Sequence, residues 1–93
     1  MDVKEAVRAA KEWILDVMSD EHPTNLGLEE VEFDDTQGLW KITLGFSRPW
    51  NSNRNALSSF TGEAIQKRAY RTIIVEDFTG RIKGMARKLS AED

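Results

Sequence analysis

The sequence contains no cysteine, which excludes disulfide bonds and thiolate metal sites. Its one histidine, His22, stands before Pro23 in a polar segment without a visible catalytic partner, so we interpret it as a solvated loop residue. No run of about 20 apolar residues is present, so no membrane-spanning helix is predicted. The glycines occur singly and form no phosphate-binding loop. We therefore predict no cofactor, no metal and no enzymatic activity.

The chain has 93 residues, of which 40% are hydrophobic and 31% charged. These values are typical of a globular domain with one small core. We predict a single domain over residues 1–93. The first five residues show no basic segment followed by an apolar run, so we predict no signal peptide and expect a cytoplasmic location.

The clearest pattern is an alternation over residues 39–47. Polar and small residues separate four apolar ones that fall on one face: Trp40, Ile42, Leu44 and Phe46. Alternation of this kind predicts a strand with one buried face. Gly45 interrupts the pattern and indicates a bulge or a close approach of the backbone.

Residues 2–18 are predicted to form an amphipathic helix. Asp2 and Glu5 have the spacing of an N-terminal capping box. Because two alanines lie in the middle of the apolar stripe, we expect the helix to pack closely on a sheet. The stripe consists of Val3, Ala6, Val7, Ala10, Trp13, Ile14 and Val17.

Three further strands are predicted at about 28–33, 68–76 and 81–89. In the first of them, alternation places Val31 and Phe33 on the inner face. The strand at 68–76 has apolar residues on both faces, which favours a central position in the sheet. One helix packed on a four-stranded antiparallel meander gives an α+β fold with two layers.

Residues 48–66 show neither helical nor strand periodicity, and three asparagines lie within five residues, so a long loop is predicted. Loops of this length inside small domains are often functional. Its apolar residues either cover the core or bind a partner. The candidate binding residues are Arg48, Trp50, Asn53, Arg54, Leu57 and Phe60.

Charge is unevenly distributed along the chain. Residues 1–63 contain six basic residues (Lys or Arg) and twelve acidic ones (Asp or Glu). Residues 64–89 contain seven basic residues and two acidic ones. Either acidic and basic elements face each other within the fold, or the basic half binds an anionic partner. The second interpretation gives a candidate basic patch of Lys67, Arg68, Arg71, Arg81, Lys83 and Arg87.

Two pairs of neighbouring carboxylates, Asp34-Asp35 and Glu76-Asp77, stand in predicted turns. Paired carboxylates can act as acid and base in catalysis. Turn carboxylates generally remain solvated and stabilise the bend through local hydrogen bonds. We interpret both pairs as turn formers.

Residues 73–82 resemble the end of a PepSY repeat, where a strand leads into an Asp-x-x-Thr-Gly turn. Here Glu76 stands at the Asp position, followed by Thr79 and Gly80, and a long insertion follows Phe46. The order of helix and strands is also similar to cystatin-like folds. The resemblance to PepSY implies a role in restraining proteases or in cell-envelope proteins. A further similarity, to the gas-vesicle accessory protein O family, rests on Trp40, Tyr70, Gly80, Ile82 and Arg87.

Two classes of function follow. The first, which we favour, is a non-catalytic protein-binding or inhibitory module that uses the segment from Trp50 to Phe60 together with the sheet. The alternative is a nucleic-acid-binding protein that uses the basic C-terminal strands. We expect another protein as partner and no membrane, and the sequence leaves formation of a homo-oligomer open.

Overall fold

The computed structural model describes residues 1–49 and 68–88. Most of the predicted 48–66 loop therefore lies outside the described residues. Helix α1 spans Val3–Val17, and a short 3₁₀ turn at Ser19–Glu21 follows it. The strands are β1 (Thr24–Asp34), β2 (Leu39–Ser47), β3 (Ala69–Glu76) and β4 (Ile82–Arg87).

The four strands form one antiparallel sheet in the order β1-β2-β3-β4. This confirms the predicted meander, the α+β class and the central position of β3. β1 begins at Thr24, earlier than the predicted residue 28. The strand pattern missed this part because Asn25 has a positive φ of 56° and the register shifts between Thr24 and Gly27. Such irregularities break the alternation by which a strand is recognised.

Helix α1 begins with the predicted capping box. The Asp2 carboxylate accepts a hydrogen bond from the Glu5 backbone N–H at 2.8 Å, and the Glu5 carboxylate accepts one from the Asp2 N–H at 2.9 Å. The buried side of the helix is narrow, and its two alanines allow a close approach to the sheet. Its members are Ala6, Ala10 and Ile14, continued by Met18 after the helix.

The core lies between α1 and the two central strands. The side chains that face the helix from β2 and β3 are fully buried, and each contributes about 1.5–3 kcal/mol to the free energy of folding. They are Ile42, Leu44, Phe46, Ile73 and Val75.

Contacts at the two ends of the sheet show in which direction helix α1 runs along the strands. At one end of the sheet, here called the turn end, the N-terminal ammonium of Met1 lies 3.2 Å from the carboxylate of Asp77 in the β3–β4 turn. At the opposite end, here called the loop end, Arg48 after β2 donates a hydrogen bond of 3.0 Å to Glu21 after α1. The C-terminus of α1 therefore lies at the loop end.

Candidate binding surfaces

One helix does not cover the helix-side face of this sheet. An α-helix with its side chains is about 10–12 Å wide, whereas four strands spaced about 4.8 Å apart need more than that. Helix α1 lies mainly over β2 and β3. Consequently Leu28, Val31 and Phe33 of β1 keep 44%, 38% and 41% of their surface exposed. The prediction that Val31 and Phe33 face inward gives the correct side of the sheet, but it is wrong about their burial.

The space between α1 and β1 is a groove of about 520 Å³. We call it the helix groove. Its apolar lining comes from one flank of the helix and from the edge strand: Val3, Val7, Leu15 and Leu28. Its charged lining is on the helix alone: Lys4, Arg8, Lys11 and Glu12. The groove thus has an apolar floor and three positive charges against one negative charge at its rim.

The exposed apolar surface continues from the groove along β1. Val31 and Phe33 are register partners of Ile42 and Trp40, so they lie on the same side of the sheet as the core. The rings of Phe33 and Trp40 are in contact, with centroids 4.6 Å apart and planes tilted by 44°. Aromatic rings in such an arrangement attract each other by about 0.5–1.5 kcal/mol beyond their burial. This contact fixes Phe33 at the end of the exposed row.

The opposite face of the sheet, here called the outer face, is polar and crossed by ion pairs. Arg68 lies 3.7 Å from the Glu29 carboxylate and donates a hydrogen bond of 3.1 Å to the carbonyl of Asn25. Lys88, after β4, forms an ion pair with Glu30 of β1. Two basic residues that flank β3 and β4 therefore pair with acidic residues of β1, in agreement with one interpretation of the charge distribution.

Gly45 lies on this outer face in β2, near the loop end of the strand. A Cβ atom built on Gly45 would lie 2.9 Å from Arg68, 3.0 Å from Glu29 and 3.0 Å from the Tyr70 ring. Three side chains therefore approach the Gly45 backbone closely, as one of the two predictions for this residue implies, and the irregularities of the β1–β2 pair are in β1. The absence of a side chain at this position is what allows the Arg68–Glu29 pair to lie across β2.

Of the predicted loop site, the structure describes Arg48 alone. Arg48 is 9% exposed, pairs with Glu21, and has its guanidinium carbon 5.7 Å from the centroid of the buried Phe46 ring. Arg48 therefore contributes to the structure of the loop end. The other five candidates lie outside the described residues: Trp50, Asn53, Arg54, Leu57 and Phe60.

The predicted basic patch does not form one surface. Arg68 is on the outer face, whereas Arg71 and Arg87 are on the helix side at the loop end, opposite each other in the β3–β4 register. Arg81 precedes β4 at the turn end, and Lys83 is exposed within β4. Lys67 lies outside the described residues. The positive charges that the structure describes are spread over both faces and both ends of the sheet.

Each of the two turns has a carboxylate that accepts local hydrogen bonds, as predicted, and in the β3–β4 turn Glu76 accepts one of 2.6 Å from the Thr79 hydroxyl. Asp34 accepts hydrogen bonds from the Thr36 hydroxyl at 2.7 Å and from the Thr36 backbone N–H at 3.1 Å. The hydrogen bond from the Thr36 hydroxyl is the main cause of a pKa of Asp34 below its ordinary value.

His22 is exposed in a left-handed conformation after the 3₁₀ turn. Within residues 1–49 and 68–88, no cluster of acidic or histidine side chains is suited to hold a metal ion.

Sequence reasoning missed the helix groove. Leu15 lies outside the predicted apolar stripe of the helix, yet it lines the groove and is 45% exposed. The predicted number of helices and strands could have indicated the groove. A single helix is too narrow to cover four strands that each carry apolar residues on the same side, so part of the sheet is left exposed.

Comparison of the chain with protein-family models, with curated proteins and with solved structures gives no match. The resemblance to PepSY and cystatin-like domains therefore stays a prediction. In the described part of the chain, no helix has the length and apolar character needed to cross a membrane.

Proposed function

We propose that this protein is a small non-catalytic protein-binding module and that the helix groove receives an amphipathic helix of its partner. The observation that supports this proposal is an apolar groove beside the edge strand β1 that residues 1–49 and 68–88 leave open. Grooves lined by one helix and an adjacent apolar surface are a recurring way to bind an amphipathic helix. Exposed, contiguous apolar surface of this kind generally marks an interaction site.

The dimensions of the groove agree with such a ligand. Its helical wall extends from Val3 to Leu15, about 18 Å at 1.5 Å per residue. A partner helix of about three turns has the same length. Leu28 forms the opposite wall, and the neighbouring Val31 and Phe33 extend the apolar contact along β1.

The charges at the rim specify the chemistry of the partner. Lys4, Arg8 and Lys11 outnumber Glu12, although the chain as a whole has a net charge of −3. Complementary charges at an interface increase the association rate and select between partners. We therefore commit to a partner helix whose apolar stripe is flanked by Asp or Glu.

The segment from Trp50 to Phe60 belongs to the same proposal as a second contact, although it lies outside the described residues. Substitution Trp50→Ala separates its two possible roles. If Trp50 contacts the partner, the variant loses binding while its free energy of unfolding changes by less than about 1 kcal/mol. A loss of about 3–5 kcal/mol would instead identify a core residue.

The direct test of the groove is titration of the labelled protein with synthetic amphipathic peptides, followed by NMR. An acidic-flanked helix should shift the amide signals of Val7, Leu15 and Leu28, and the same helix with Lys flanks should bind more weakly. The variant Arg8→Glu with Lys11→Glu should reverse this preference, and Arg81→Glu, which changes charge away from the groove, should not. Shifts located on the outer face, or equal binding of both peptides, would refute the proposal.

A further inference from the structure

The loop end of the sheet brings two arginines directly opposite each other. Arg71 of β3 and Arg87 of β4 are register partners. Arg71 also pairs with the buried Leu44 of β2, so both arginines are on the helix side. Opposite residues in adjacent antiparallel strands have Cβ atoms about 5 Å apart, and like charges in these positions destabilise the sheet. An anion bound beside the pair would offset this repulsion.

The guanidinium groups of Arg71 and Arg48 are held by local contacts. Arg71 donates a hydrogen bond of 3.0 Å to the Tyr70 carbonyl, and its guanidinium carbon is 6.0 Å from the centroid of the Phe46 ring. Arg48 approaches the same ring to 5.7 Å and is fixed by Glu21. Because Phe46 is fully buried, the two guanidinium groups share a rigid apolar support.

The charge at this end is not balanced by the described residues. Glu21 forms an ion pair with Arg48, and within residues 1–49 and 68–88 no carboxylate is in ion-pair distance of Arg71 or Arg87. Burial lowers the pKa of Arg71, the positive charges of Arg48 and Arg87 lower it further, and the negative charge of Glu21 acts in the opposite direction. Three arginines thus stand against one carboxylate in this group, and a bound anion would compensate the remaining positive charge.

We propose that Arg71 and Arg87 form a binding site for a phosphate dianion at the loop end of the sheet. A phosphate monoester carries about 1.5–2 negative charges and several strong acceptor oxygens, which matches two guanidinium groups. The planar fork of arginine donates two parallel hydrogen bonds to such an oxyanion. The site is separate from the helix groove, which lies between α1 and β1.

The test uses calorimetry and NMR with inorganic phosphate and, separately, with phosphoserine. Chloride at matched ionic strength corrects for general screening. We expect saturable binding of phosphate, with shifts of the Arg71 and Arg87 amide signals, and a loss of about tenfold or more in affinity for Arg87→Gln. Binding of inorganic phosphate alone identifies a site for the free ion, whereas binding of both ligands identifies a site for a phosphate group on a larger molecule.

A second readout separates this role from a structural one. Without phosphate, Arg87→Gln should melt at the same or a higher temperature than the original protein, because the substitution removes a like-charge repulsion. Lys83→Gln is the matched control, since Lys83 is exposed in the same strand and carries the same charge. Arg71→Lys, which keeps the charge but lacks the fork, should retain only part of the affinity.

Three results would overturn the proposal. The first is equal loss of phosphate affinity in Arg87→Gln and Lys83→Gln, which would indicate general charge attraction. The second is no saturable binding of either ligand above the chloride control. The third is tighter binding of a short oligonucleotide than of either phosphate ligand, through Arg71 and Arg87. This result would identify a nucleic-acid interface.

Discussion

The indole N–H of Trp40 in β2 donates a hydrogen bond of 2.9 Å to the carboxylate of Asp77 in the β3–β4 turn. The same carboxylate oxygen lies 3.2 Å from the N-terminal ammonium of Met1. Asp77 thus connects the start of the helix, the second strand and the last turn of the meander. At the turn end of the sheet, one carboxylate is therefore shared by three parts of the fold.

Low pH should weaken the contacts of the Asp77 carboxylate with Trp40 and with the N-terminal ammonium. The Trp40 hydrogen bond is the main cause of a pKa of Asp77 below its usual 3.8, and the N-terminal ammonium lowers it further. A carboxylate with a lowered folded-state pKa contributes stability that is complete above the unfolded-state value and is lost as pH falls through the folded-state value. We therefore expect the melting temperature to fall from about pH 4 downward.

The variant Asp77→Asn tests whether Asp77 causes this loss of stability at low pH. Asparagine keeps an acceptor for Trp40 but does not titrate, so its melting temperature should depend less on pH below about pH 4 than that of the original protein. Asp35→Asn, in the exposed β1–β2 turn, is a control for the loss of one negative charge. Parallel pH profiles for the original protein and Asp77→Asn would assign the acid sensitivity to other groups.

Two glycines provide a matched test of the outer face. Gly45→Ala places a methyl group about 3 Å from three neighbours, of which the Tyr70 ring is the least able to move, so we expect a loss of about 1–3 kcal/mol. Gly84→Ala meets no atom within 4 Å and should change the free energy of unfolding by less than about 0.5 kcal/mol. Urea unfolding of both variants measures the difference, and equal stabilities would contradict the close approach at Gly45.

Much of the fold could be predicted because its elements have regular patterns. Trp40, Ile42, Leu44 and Phe46 of β2 lie on one side of the sheet and pack in one core, so alternation predicted the bounds of the strand as residues 39–47. Asp2 and Glu5 form a purely local capping box, which two residues three positions apart specify. β1 is the exception, because its bulges and the left-handed Asn25 change the side on which successive residues lie.

The binding surfaces could be predicted only in part, because they depend on how elements lie across one another. The exposure of Leu28 and Leu15 follows from the position of the helix axis, which no local pattern specifies. Similarly, the sequence shows an acidic first part and a basic last part, but the pairing of Glu29 with Arg68 requires the register of three strands. The opposition of Arg71 and Arg87 depends on the bulge near Val75 in the β3–β4 pair.

The contact between helix and sheet should be intolerant of charge at its centre. Ala10 is fully buried in the middle of the helix stripe. Ala10→Asp places a carboxylate without a partner against the sheet, and we expect a loss of about 3 kcal/mol or more. Ala9→Asp, on a less buried flank of the same helix, controls for helix propensity and should cost about 1 kcal/mol or less. Similar melting curves for the two variants would show that this side of the helix is not the buried one.

The uncovered part of the sheet can be tested with two residues that face each other across β1 and β2. Val31 and Ile42 are register partners on the same side, yet Val31 is 38% exposed and Ile42 fully buried. Val31→Thr should therefore change the free energy of unfolding by less than about 0.5 kcal/mol, as is usual at exposed positions. Ile42→Thr should cost about 2 kcal/mol or more, because it leaves a cavity and buries a hydroxyl group. Chemical denaturation of the two variants compares these values directly. If Val31→Thr is as destabilising as Ile42→Thr, β1 is covered in the folded protein and the helix groove is closed.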